Sequence, residues 1–202
     1  MEQLSFFADA GQSPGLPAEL LTYYPGIFTG QECNHLLHKF ITETPWKQKV
    51  VKMYDKQVVT PRLTAWYADQ ETYDYTSLRR SEPLIWTPEL LCIKQRAEEI
   101  AGVTFNSVLL NYYRDGNDSV AWHSDNEKAL GTHPVIASVS FGQVRSFDIR
   151  SKQDHSNKYA IKLESGALLI MKGNLQAEWE HRIPKSVKPM CARVNLTFRV
   201  VI

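Results

Sequence analysis

Asn111-Tyr112-Tyr113-Arg114-Asp115-Gly116-Asn117-Asp118-Ser119-Val120-Ala121-Trp122-His123-Ser124-Asp125 reads as a strand, a polar turn and a second short strand. Side chains along a strand alternate sides, so His123 and Asp125, two positions apart, project from the same face. The texture of this stretch continues to the C-terminus. Short β-rich runs are expected at 107–114, 120–125, 135–141, 145–150, 159–164, 167–171, 178–183 and 194–201, and Gly116, Gly142, Gly166 and Gly173 punctuate them. Eight short strands with no helical pattern between them predict a double-sheet jelly roll, which gathers the ends of non-adjacent strands around one mouth.

Working outward, residues 18–104 have a different pattern. Thr29-Gly30-Gln31-Glu32 has the spacing of a capping box, and Cys33, Leu36, Leu37, Phe40 and Ile41 follow at helical intervals before Pro45. Thr87 and Pro88 open a second helix whose buried stripe is Leu90, Ile93, Ala97 and Ile100, with Gly102 as its stop. Lys47, Lys49, Lys52 and Lys56 suggest a solvated strand face that can also touch phosphate. Between the helices, Trp66, Tyr67, Tyr73 and Tyr75 stand among Arg62, Arg79 and Arg80, a mixture suited to stacking on bases and contacting phosphate. The competing reading of that stretch is a β-hairpin whose rings pack into the core. The fold class expected is mainly β with flanking helices: a flexible segment over 1–17, helices and a lid over 18–104, and a jelly-roll core over 105–202, all one domain.

Bulk properties bound the partners. The chain has 202 residues, 43% of them hydrophobic and 11% aromatic, which suits one globular domain. A net charge of +1 excludes neither nucleic acid nor a small molecule. Cys33, Cys92 and Cys191 lack metal-ligand spacing and fit a reducing compartment, so a cytoplasmic protein is expected. No apolar run reaches membrane-spanning length and no secretory signal is apparent. Gln3-Leu4-Ser5-Phe6-Phe7 resembles the short peptide ligands of bacterial sliding clamps, with a patch covering the core as the alternative.

One imidazole and one carboxylate on a common face can hold two adjacent positions of a metal ion, and His181 is the candidate third ligand. Two histidines and a carboxylate leave three positions open, the arrangement of non-haem Fe(II) oxygenases. In 193–199, Arg193, Asn195, Thr197 and Arg199 share one face, and Leu196 and Phe198 take the other. Two guanidiniums pointing into a barrel carry a heavy desolvation cost unless anions meet them. A dicarboxylate provides two such partners; a solvent-facing edge strand is the alternative. Asn111 and Tyr113 share a face of the strand leading to His123 and can add hydrogen bonds.

In order along the chain, Asn-x-Tyr, His-x-Asp-x-Glu, Ile-Ala-Ser-Val-Ser-Phe-Gly, Trp-x-His-Arg-Ile-Pro and Arg-Val-Asn-Leu-Thr-Phe-Arg resemble the AlkB family of Fe(II)- and 2-oxoglutarate-dependent dioxygenases. The resemblance implies Fe(II) on His123, Asp125 and His181, with O2 and 2-oxoglutarate as cosubstrates. It implies that Arg193, helped by Tyr113, pairs with the distal carboxylate of 2-oxoglutarate, Arg199 with the carboxylate beside the ketone, and that Asn111 and Asn195 complete the pocket. Glu127 would contact the exocyclic nitrogen of a damaged base. Trp66, Tyr73 and Tyr75 would supply rings that sandwich the base against His123, and the 18–104 lid would recognise the nucleotide. Arg150 and Lys152 would meet backbone phosphate.

The activity so implied is demethylation of 1-methyladenine and 3-methylcytosine in single- or double-stranded DNA, or in RNA, by a monomer that repairs alkylation damage. Two alternatives stand beside it: an Fe(II)/2-oxoglutarate hydroxylase or demethylase of a protein, lipid or small molecule, and a jelly-roll binding module without turnover.

Overall fold

The computed structural model describes residues 18–53, 55–70 and 82–202. Gln3–Phe7, Tyr73, Tyr75, Arg79 and Arg80 lie outside the described residues. The elements in order are β1 (Leu21–Tyr24), α1 (Gly30–Glu43), β2 (Lys47–Met53), β3 (Lys56–Ala68), α2 (Pro88–Ala101), β4 (Ser107–Tyr113), β5 (Val120–His123), β6 (Ile136–Gly142), β7 (Arg145–Ser151), β8 (Lys158–Leu163), β9 (Leu168–Met171), the one-turn α3 (Leu175–Glu178), β10 (Trp179–Ile183) and β11 (Arg193–Arg199). All eight strands expected beyond residue 105 are present.

They form two sheets. The larger runs β1-β9-β6-β11-β4-β3-β2 and the smaller β5-β10-β7-β8. Thus β1, β2 and β3, all from before residue 105, extend the large sheet. Periodicity alone left 60–80 open as a hairpin, because a strand buried on both faces does not alternate cleanly.

Period-two alternation on the large sheet separates two cores. Val108 and Leu110 of β4, Ala137, Val139 and Phe141 of β6, and Val194, Leu196 and Phe198 of β11 face α1 and α2, meeting Phe40, Leu90, Ile93 and Ala97. The opposite face meets the small sheet, where Leu169 and Met171 pack with Phe147, Ile149, Ile161 and Ile183. This sandwich is a jelly roll with helices on one outer face.

Local chemistry places the helices. Thr29 Oγ1 accepts from Glu32 N, and Glu32 Oε2 accepts from Thr29 N at 2.7 Å, which closes the capping box. Thr87 caps α2, and Gly102, at φ 67, ends it in the left-handed region. Gly142 ends β6 at φ 93, where an added Cβ would sit 2.4 Å from Ala192 O, so only glycine fits that turn.

Candidate metal centre

β5 and β10 are antiparallel neighbours with His123 directly opposite His181. The imidazoles lie 4.3 Å apart between centroids, and Phe147 stacks on His181 at 5.0 Å. Asp125 follows just beyond the end of β5, and its Oδ1 lies 3.7 Å from His123 Nε2. One ligand atom from each of His123, Asp125 and His181 falls within 4.8 Å of the others. The residue pattern and the fold therefore bring together the three side chains that the sequence nominated.

His123 Nδ1 lies 2.9 Å from Ala121 O, and a carbonyl can only accept, so Nδ1 carries a proton and Nε2 is the nitrogen that faces Asp125. Burial, then the nearby His123, pushes the His181 imidazole down to about 3, so it is neutral at physiological pH. Burial alone would raise the Asp125 carboxyl, but the charge and hydrogen bond of Arg199 oppose it, and the carboxyl is lowered to about 2. Arg199 Nη2 donates to Asp125 Oδ2 at 2.7 Å, leaving Oδ1 turned toward the histidines.

Behind the triad, the inner face of β11 is polar and buried. Arg193 is 1% exposed; its Nη2 donates to Ser140 Oγ at 2.9 Å, and its guanidinium lies 5.0 Å from the Tyr113 ring. Among the described residues, Arg193 Nε, Arg193 Nη1 and Arg199 Nε are buried donors without a partner. Uncompensated buried guanidinium donors are costly, so these three atoms point to an anion with two carboxylates. Asn195 donates to Ser138 Oγ at 2.8 Å and Val139 O at 2.9 Å, and buttresses the pocket wall. Asn111 accepts from Arg62 Nε at 2.8 Å.

A cavity of about 540 Å³ is lined by these parts together with Lys47, Lys49, Arg62, Trp66, Glu82 and Glu127, of which Lys47, Lys49, Glu82 and Glu127 are exposed. Trp66 is mostly buried, with its indole nitrogen donating to Ser107 Oγ at 2.8 Å. Arg150 and Lys152 lie outside that lining. Arg150 pairs with Glu180 and its guanidinium lies 4.1 Å from the Trp122 ring. Lys152 Nζ donates to the carbonyls of Gln176 and Ala177, each at 2.9 Å.

Sequence reasoning missed four residues. Ser138 and Ser140 alternate with buried apolar residues on β6, and that period-two polarity was the available signal for a polar lumen. Arg145, 2% exposed, ties together the carbonyls of Asp115, Asp118 and Pro184, supporting the turns beneath both β5 and β10. Gln176 gave no signal at all.

Two histidines and an aspartate gathered within a jelly roll, backed by two buried arginines that keep unsatisfied donors, define a non-haem metal oxygenase site. Comparison with known proteins agrees. The family model described as the 2OG-Fe(II) oxygenase superfamily matches residues 20–199. The rat alpha-ketoglutarate-dependent dioxygenase alkB homolog 3 is 44% identical over 186 residues, covering 88% of this chain and 63% of that protein. The human alkB homolog 3 is 42% identical, covering 88% and 65%. The human DNA oxidative demethylase ALKBH2 is 38% identical over 160 residues, covering 75% and 61%. The solved structure of OsALKBH1 shares the fold at a TM-score of 0.61 and 15% identity, over 89% of this chain and 97% of that one. The chain belongs to the 2OG-Fe(II) oxygenase superfamily. It spans just under two thirds of the length of the curated relatives it matches, 63% for the rat protein.

The donor set fits the family's group. His123, Asp125 and His181 would hold Fe(II), and the unpartnered guanidinium edges of Arg193 and Arg199 would hold 2-oxoglutarate. Among the described residues no helix is long and apolar enough to cross a membrane.

Proposed function

We propose that this protein demethylates alkylated nucleobases, 1-methyladenine and 3-methylcytosine, in DNA and also in RNA, and so repairs alkylation damage. The observation that carries the reading is the shared cavity, whose lining holds the metal triad and both arginines together with two lysines, a third arginine, a tryptophan and two glutamates. Bound Fe(II), with O2 and 2-oxoglutarate, supplies the oxidising power, so that the N-methyl carbon leaves as formaldehyde and 2-oxoglutarate as succinate and CO2.

The chain's own residues do the rest. Arg193 and Arg199 receive the two carboxylates and fix the cosubstrate's orientation. Asp125, with one oxygen tied to Arg199, presents the other to the metal. Lys47, Lys49 and Arg62 meet backbone phosphate, and Glu127 favours a base that carries positive charge. Trp66 offers an apolar wall, with Tyr73 and Tyr75 as the further rings of the lid. Both lesions are cationic and cannot form Watson–Crick pairs, so extruding them costs less than the few kcal/mol of an intact pair. Arg150 is assigned to phosphate farther along the strand, whereas the Lys152 ammonium is held by the carbonyls of Gln176 and Ala177.

The alternative keeps the metal chemistry and changes the substrate to a protein, lipid or small molecule. The three further cations in the cavity lining, Lys47, Lys49 and Arg62, favour a phosphate-bearing substrate over it. Mass spectrometry of methylated and etheno oligonucleotides after incubation with Fe(II), ascorbate and 2-oxoglutarate decides between them. Loss of 14 mass units per methyl (about one CH₂) is expected; an unaltered panel together with succinate release would favour the alternative. The proposal includes a monomeric cytoplasmic protein that contacts a sliding clamp through Gln3–Phe7. Deleting residues 1–7 should then abolish clamp pull-down.

A further inference from the structure

Asp125 is buried just past the end of β5, so its backbone N–H needs an acceptor outside the sheet ladder. Gln176 Oε1 is that acceptor, at 2.9 Å. A backbone N–H only donates, which fixes the amide with its oxygen inward, and Nε2 then lies 3.7 Å from the Met171 sulfur. Gln176 is 3% exposed, too deep for water to replace it. It sits in α3, which runs directly into β10 and His181. One side chain thereby connects the segment carrying Asp125 to the segment carrying His181.

The turn is itself braced. Lys152 Nζ donates to the carbonyls of Gln176 and Ala177, and Lys152 N donates to Glu178 O at 2.9 Å. Ser124 Oγ donates to Trp179 O at 2.8 Å, a second tie between the same two segments.

We propose that Gln176 is a positioning residue of the metal centre, setting the backbone of Asp125 and with it the direction from which Oδ1 meets the ion, with Lys152 as its strut. This rests on the assignment of His123, Asp125 and His181 as metal ligands. Partners that orient a ligand typically contribute 10–100-fold in metal affinity, although they never touch the metal.

Mn(II) binding to the full chain, followed by loss of the free-ion paramagnetic resonance signal, tests the role without turnover. Gln176→Leu should weaken Mn(II) binding by about 10–100-fold. Gln176→Glu, which keeps an acceptor at the same reach, should stay within a few-fold of the natural protein. Phe105→Leu, a core change on the helix side of the large sheet, should lower Tm and leave Mn(II) affinity unchanged. Unchanged affinity in Gln176→Leu, or equal losses in it and Phe105→Leu, would overturn the proposal. If Gln176→Leu does not fold, Lys152→Met takes its place: weakened binding supports the strut and unchanged binding overturns it. Failure of the natural protein itself to bind Mn(II) would overturn the metal centre, and this role with it.

Discussion

The two faces of β11 have the same strand, the same neighbours and nearly the same burial, yet opposite physics. Toward the helices, Val194, Leu196 and Phe198 are 0% exposed and fill a close-packed core. Toward the small sheet, Arg193, Asn195, Thr197 and Arg199 are between 1% and 7% exposed and keep three donors without partners. Burial on the first face stabilises the fold. On the second it holds cations in readiness for an anion, at a cost to the fold that the first face offsets. The comparison teaches that burial alone does not separate core from site; unsatisfied polar atoms do.

The metal triad stands on the second face's side of the molecule, and its loss should have the largest effect on activity. Asp125→Ala removes a ligand and leaves Arg199 without its anion. Formaldehyde release from a 3-methylcytosine oligonucleotide should fall to background; retained turnover would refute the ligand assignment.

The contrast between faces is sharpened by one substitution on each. Phe198→Ala should lower stability by about 3–5 kcal/mol through the cavity it leaves, with little change in the KM for 2-oxoglutarate of the protein that remains folded. Arg193→Met should do the reverse. Replacing an unpaired buried cation by an apolar chain is neutral or stabilising in denaturant melts without cosubstrate. The KM for 2-oxoglutarate should rise about 10–100-fold, since hydrogen bonds to charged groups contribute about 1.5–3 kcal/mol. Equal stability losses for both variants would remove the distinction.

The smallest effect is expected at the β4–β5 turn. Burial would raise the Asp118 carboxyl, but three hydrogen bonds from Arg114 more than offset that and hold it below the usual aspartate range. A depressed folded-state value contributes stability that is full above the ordinary aspartate range and is lost as pH falls through the folded value. Asp118→Asn should therefore lower stability at neutral pH by about 1–3 kcal/mol and flatten its acid dependence in urea melts. An unchanged acid limb would contradict this role.

Much of this was legible in the residues, for stated reasons. Strand alternation put Arg193 with Arg199, because side-chain direction in a strand depends only on spacing; His123 and Asp125 also converge, but the strand stops at His123 and Asp125 lies just beyond it. The cap and stop signals of α1 and α2 were local, so they too were readable. Contacts between distant segments were not. Arg199 was expected to meet only a cosubstrate carboxylate, yet it also grips Asp125, a partner 74 residues away. Only the family resemblance puts Lys152 at backbone phosphate; its ammonium lies on two carbonyls of α3. Gln176 belongs to a one-turn helix without periodicity, and only the fold brings it to Asp125. The membership of β1, β2 and β3 in the large sheet is likewise a matter of long-range pairing, which local pattern does not encode.

Equilibrium binding of 2-oxoglutarate under anaerobic conditions, with and without Fe(II), tests most directly whether triad and arginines form one site. The account predicts one 2-oxoglutarate per chain, bound more tightly when Fe(II) is present, and loss of that Fe(II)-dependent gain in Asp125→Ala. Binding of equal strength with and without the metal, or no saturable binding at all, would contradict it.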